Sequence, residues 1–80
     1  TLEYKLVIKD ELDVKVSPNS NAKNIGKLYY LNVVKALETK PYWTKIEYVN
    51  KEEDISIKGW VATRQLKKLN IMKSTYENIN

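Results

Sequence analysis

The sequence predicts a small all-β domain folded as a compact barrel, and three observations carry that prediction. Apolar and polar residues alternate with a period of two over several short runs, the pattern of strands with one buried face. Turn-forming residues punctuate the chain between those runs. No segment holds a helical apolar stripe, except weakly Gln65 to Tyr76.

In chain order, Tyr4-Lys5-Leu6-Val7-Ile8-Lys9 is a first strand and Leu12-Asp13-Val14-Lys15-Val16 a second. Ser17-Pro18-Asn19-Ser20-Asn21-Ala22 is a loop, because proline fixes φ and Asn and Ser side chains bond their own backbone. Thr39-Lys40-Pro41 breaks the chain before Tyr42-Trp43-Thr44-Lys45-Ile46-Glu47-Tyr48-Val49, a strand. The charged segment Asn50-Lys51-Glu52-Glu53-Asp54 separates that strand from Ile55-Ser56-Ile57-Lys58, making a hairpin over 42–61. Gly59 falls inside a strand, where a glycine marks a bulge or a close backbone approach. Gly26 supplies a bend after Ile25 at no steric cost. The barrel occupies 1–69, and 70–80, where alternation fades, is a weakly structured tail or a short helical turn.

Eighty residues make one domain, and a chain this short buries a modest share of its surface. Its core therefore has to come from a few large side chains, among them several of the six Tyr and two Trp. Tyr4 and Tyr48 read as core residues, on strand faces shared with Leu6 and Ile46. With neither Cys nor His, thiolate and imidazole metal sites are excluded, and no cofactor or metal is implied. No run approaches the ~18 apolar residues of a membrane-spanning helix, and no signal sequence opens the chain. It starts at Thr1, which reads as a mature form or a piece of a longer protein. The net charge of +4 is interleaved with acids and describes a solvated, mildly basic surface.

Catalytic chemistry finds no constellation. Glu52, Glu53 and Asp54 are consecutive in a loop tip, solvated rather than held apart in a cleft, and they lack the ligand spacing of a calcium loop. Ser17, Ser20 and Ser56 have no histidine to activate them and no nucleophile-elbow context.

A set of ordered motifs gives a sharper reading: Leu12-x-Val14-x-x-x-Pro18, Ile25-Gly26-x-Leu28, Val34-x-Ala36, Trp43-x-Lys45-Ile46, and Gly59-Trp60-Val61 ending at Leu66. In this order the chain from 11 to 66 resembles the bacterial SH3 domain family. The resemblance implies an SH3-like barrel of five to six strands with a long first loop at 16–25 and a hairpin across 43–61. It also implies a 3₁₀ turn near Thr63-Arg64-Gln65 before a last short strand at 66–69. Ser17 and Leu31 stand where the family commonly has glycine, so the conformation of both turns is expected to change, and the acidic loop before Ile55 is longer than typical.

The resemblance further implies a non-catalytic module that recognises a peptide or a cell-wall (peptidoglycan) ligand, in an extracytoplasmic setting, and is monomeric in isolation. The candidate binding residues are Tyr42, Trp43, Tyr29, Tyr30 and Lys45, with Lys40 nearby, since Tyr and Trp give large contact area at low entropic cost. The alternative is that these rings fill a core without Phe; the two readings balance for Tyr42 and Trp43, and the core reading leads for Tyr29 and Tyr30. A polyproline groove of the eukaryotic type is disfavoured. Glu11-Leu12-Asp13-Val14-Lys15 replaces its tyrosine-bearing segment, Ala62 and Gln65 replace its proline and tyrosine, and only Trp43 has a counterpart. Docking to flanking domains or a partner protein is a second possibility. Single-stranded nucleic acid is a weaker third. Lys40-Pro41-Tyr42-Trp43-Thr44-Lys45 interleaves bases with rings, and Arg64, Lys67, Lys68 and Lys73 cluster, but a single Arg and a small net charge argue against it. Strict alternation puts Trp60 on the face opposite Val61, partly covered and partly on the surface.

Overall fold

The computed structural model describes residues 3–69, so the expectation for 70–80 lies outside the described residues. Seven strands and one 3₁₀ turn follow one another: β1 Glu3–Val7, β2 Glu11–Lys15, β3 Asn24–Tyr29, β4 Val33–Lys40, β5 Trp43–Asn50, β6 Ile55–Ala62, the turn Thr63–Gln65, and β7 Leu66–Lys68. Seven strands stand where five to six were expected, and the short last strand expected at 66–69 is present as β7, paired with β1. Of the weak apolar stripe from Gln65 to Tyr76, the described part at 66–68 is strand, as the family resemblance implied.

All strands join one open antiparallel sheet in the order β3-β2-β6-β5-β4-β1-β7. Residues from every strand but β7 enter one core, Val7, Leu12, Val14, Leu28, Val34, Ile46 and Val61, with Tyr48, Ile57 and Leu66 packed against it. A single sheet can bring all of these together only by bending back on itself. Two devices produce the bend. The β2–β3 register steps from Val14↔Gly26 to Lys15↔Asn24, leaving Ile25 as the extra residue, and the β4–β5 register steps past Leu37. Between β2 and β6 a single register pair, Lys15↔Trp60, joins the β2–β3 pair to the rest of the sheet.

Gly59 has the role its strand position suggested. A Cβ there would stand 2.6 Å from the Lys15 carbonyl oxygen and 2.7 Å from Val14 Cγ1, so only glycine lets β6 approach β2 this closely. Gly26 differs from expectation: its φ is not positive, and the bend beside it belongs to the Ile25 bulge. The loop at 16–23 is closed by its own polar groups, as its composition suggested, with Asn19 Oδ1 accepting from the Asn21 N–H at 2.9 Å. The acidic loop is tied similarly, the Asn50 Oδ1 accepting from the Glu53 N–H at 3.1 Å.

Leu31 is not accommodated by a reshaped turn. It takes φ 70, the left-handed conformation a glycine would adopt without strain. The surrounding bonds hold it there. Its N–H donates to the Val7 carbonyl at 2.8 Å, and Asn32 Oδ1 accepts from the Tyr29 N–H at 2.8 Å.

Two expectations about aromatics are overturned. Tyr4 is 40 % exposed, not core, because the interior side of β1 is filled by Val7 and the strand end at Tyr4 lies on the surface. The core is aliphatic, filled by Val, Leu and Ile, and among the described residues Tyr48 is the one aromatic packed against it. Trp60 also differs, being only 7 % exposed yet outside the core cluster. It lies on the opposite face from Val61 as alternation requires, but Lys15 and Lys45 flank it in register and Lys40 Nζ stands 5.9 Å from the ring centroid. Long lysine stems cover apolar surface while their charges stay solvated.

Candidate functional site

The exposed end of the sheet is organised by the β4–β5 turn and the 3₁₀ turn. Lys40 pairs with Trp43 across a two-residue connection, Pro41-Tyr42. Proline holds φ negative while Tyr42 takes φ 71, the combination of a type II turn. That turn favours glycine at its second position, so a tyrosine there is strained, and the ring gains little burial in return at 84 % exposed. Two hydrogen bonds hold the arrangement. The Thr63 N–H donates to the Tyr42 carbonyl at 2.9 Å, and the buried Thr44 hydroxyl bonds the Thr63 hydroxyl at 2.8 Å.

Two clefts open on this end. The first, about 290 Å³, lies between Tyr42, Thr63 and Arg64. The second, about 260 Å³, has Trp43, Leu12 and Ala62 as its apolar lining. Its polar lining is Lys9, Lys15 and Arg64 against Asp13 and Ser20. Arg64, exposed at the middle of the 3₁₀ turn, lines both clefts, which adjoin at its side chain to form the candidate groove. The long loop contributes Ser20, β2 contributes Leu12, Asp13 and Lys15, and β5 contributes Trp43, so elements distant in sequence build the two walls.

Of the residues proposed from sequence, Tyr42 and Trp43 come together on this groove. Lys45 does not line it and instead stands opposite Trp60 in the sheet. Tyr29 and Tyr30 are each 54 % exposed, at the β3–β4 turn beside Leu31 and away from both clefts. Thus neither of them fills the core. A third cleft of about 220 Å³ involves Tyr4, Val33 and Val49 with Lys35 and Glu47. Sequence reasoning noted Arg64 only as part of a basic cluster and missed Lys9, Asp13, Lys15, Ser20 and Thr63. The available signal was one charged residue on the short turn directly after Val61-Ala62, between uncharged Thr63 and Gln65.

The shifted pKa values belong to exposed ion pairs outside the groove. The Lys5 ammonium, bonded to Glu3 at 2.7 Å, holds that carboxyl below the usual range. The Lys27–Glu11 pair at 2.9 Å lowers the Glu11 pKa and raises that of Lys27. Among the described residues no cluster of acids is arranged to hold a metal ion.

The family model for the bacterial SH3 domain matches residues 10–67. The chain belongs to the bacterial SH3 domain family. The matched stretch contains both walls of the groove, with Lys9 just outside it. No curated protein and no solved structure matches this bacterial SH3 domain.

Proposed function

We propose that this bacterial SH3 domain is a non-catalytic binding module that holds a short extended peptide, with the peptides of a bacterial cell wall as the leading case, in the groove between Trp43 and Arg64. The observation that carries this reading is the groove itself: an aromatic floor at Trp43, mixed polar walls, and a second ring, Tyr42, held out in solvent by a strained turn. Backbone strain of this kind persists where surrounding bonds over-determine it and tends to gather at binding sites. Such a module serves a larger extracytoplasmic protein as its targeting element. The test is titration of the labelled domain with short peptides, followed by amide and indole NMR shifts, together with co-sedimentation on purified peptidoglycan. Shifts centred on Trp43, Ala62 and Arg64 support the reading. Their absence, with no co-sedimentation, removes it.

A second reading, docking to flanking domains or a partner protein, draws on the exposed Ile8, Tyr29, Tyr30 and Leu31 around the β1–β2 and β3–β4 connections. Exposed apolar groups gathered in one region mark contact surfaces. Cross-linking of the domain within its parent protein would place contacts there rather than at Trp43.

A further inference from the structure

We propose that the peptide held in this groove carries a side-chain carboxylate and that Arg64 is the residue that reads it, with the Tyr42 ring as the wall for the apolar residue alongside. This rests on the peptide reading above and adds the chemistry of the ligand.

Three observations converge on Arg64. It lines both clefts, so a ligand long enough to fill the groove has to pass the guanidinium. It is exposed, and among the described residues the ion pairs are Lys5–Glu3, Lys27–Glu11, Lys40–Glu38 and Lys58–Glu47, none of which involves Arg64. Among the described residues the charges facing the groove are also unbalanced: Lys9, Lys15 and Arg64 stand against Asp13 alone, and Asp13 has Lys27 opposite it on β3. A guanidinium presents a planar fork that matches a carboxylate in bidentate fashion, which a lysine ammonium does not.

Tyr42 supplies the neighbouring contact. Its ring is excluded from the core, and its backbone is held in the left-handed region by Thr63, the residue immediately before Arg64. The same Thr63 that fixes the turn therefore ties the Tyr42 backbone to the residue next to Arg64, so that ring and guanidinium leave the backbone on neighbouring segments. A ligand residue between them meets a flat apolar surface on one side and a cation on the other.

The test uses two blocked peptides, acetyl-Ala-Leu-Glu-Leu-Ala-amide and its Gln counterpart, so that the Glu side chain is the only carboxylate. Both are titrated into the wild-type domain and into Arg64→Gln and Tyr42→Ala by NMR. The Glu peptide is expected to bind wild type about tenfold more tightly than the Gln peptide, the scale of a charge-assisted hydrogen bond. Arg64→Gln should erase that preference, so that the variant binds the two peptides equally, and Tyr42→Ala should weaken both peptides by a similar factor. Equal affinity of wild type for the two peptides, with shifts centred on Trp43, overturns the carboxylate proposal and leaves the peptide groove standing. A Glu preference that survives Arg64→Gln, or shifts spread over the surface lysines, also overturns it. Absence of shifts with either peptide overturns both the proposal and the peptide reading beneath it.

Discussion

The two faces of the β5–β6 hairpin differ more than their interleaved residues suggest. Toward the interior stand Thr44, Ile46 and Tyr48 on β5 with Gly59 and Val61 on β6, and of these all but Tyr48 are buried. Toward the outside stand Trp43, Lys45 and Glu47 with Lys58, Trp60 and Ala62, and of these only Trp60 is buried. The inner face is specified by volume, down to a position where one methyl has no room. The outer face is specified by charge and by which rings stay accessible. One hairpin thus carries the fold on one side and the candidate groove on the other, and substitutions on the two sides should separate stability from binding.

The sharpest break comes from Gly59→Ala on the inner face. The added methyl meets backbone as well as Val14 and Ile25 side chains, so β6 must move off β2. A loss of about 3 kcal/mol in urea denaturation is expected, the upper end for overpacking; a loss below about 1 kcal/mol would mean that the strands are not held this closely.

Thr63→Ala lies where the two faces are tied. It leaves the hydroxyl of Thr44, a residue 1 % exposed, without its partner. A cost of about 1–2 kcal/mol follows from an unsatisfied buried hydroxyl. Because the Thr63 N–H to Tyr42 bond remains available, the loss should fall on stability more than on peptide affinity, and thermal denaturation beside a peptide titration would separate the two.

On the outer side, Tyr42→Gly should be more stable than Tyr42→Ala by about 1 kcal/mol, because alanine keeps the left-handed strain and glycine removes it. Both should weaken peptide binding. Equal stability of the two variants would show that the turn relaxes when the ring is removed.

The smallest effect belongs to Glu11→Gln. Glu11 has its pKa lowered by Lys27, so its contribution is present above the ordinary carboxylate pKa and is lost as pH falls through the lowered value. The Lys27 pKa is raised, so its share is complete below the ordinary lysine pKa and is lost as pH rises through the raised value. Both groups are solvent-exposed, and a pair of this kind contributes little in salt. The variant should keep the wild-type denaturation midpoint at neutral pH in moderate salt, with any difference confined to low ionic strength.

Strands β1, β2, β5 and β6, the β5–β6 hairpin and the close packing at Gly59 were legible in the sequence, because period-two alternation and glycine placement express local sterics directly; the 3₁₀ turn at 63–65 and the last short strand came from the family resemblance instead. Alternation separates the two sides of a strand but does not say which side is covered. By alternation alone Trp60 falls half on the surface and Tyr4 in the core. The Ile25 and Leu37 bulges behind the bend of the sheet have no residue signature of their own. The groove was half legible: Trp43 and Tyr42 came from local chemistry, whereas Lys9, Asp13, Lys15 and Ser20 meet Arg64 only through the fold. Arg64 carried no signal beyond its charge.

The pairing of β1 with β7 bears on how the domain responds to pulling. The strands run antiparallel, and Leu69 N–H donates to the Tyr4 carbonyl at 3.2 Å, so the two ends of the described chain sit side by side. Tension applied through them loads one hydrogen bond at a time, as in opening a zipper, and peels Leu69, then Lys68 and Lys67, from β1 at low force. The next bond in line is Ile8 N–H to the Gln65 carbonyl at 3.0 Å, which anchors the 3₁₀ turn bearing Arg64. Stretching therefore dismantles the groove before it reaches the aliphatic core, and a ligand held there would be released by mechanical load while most of the sheet is still intact.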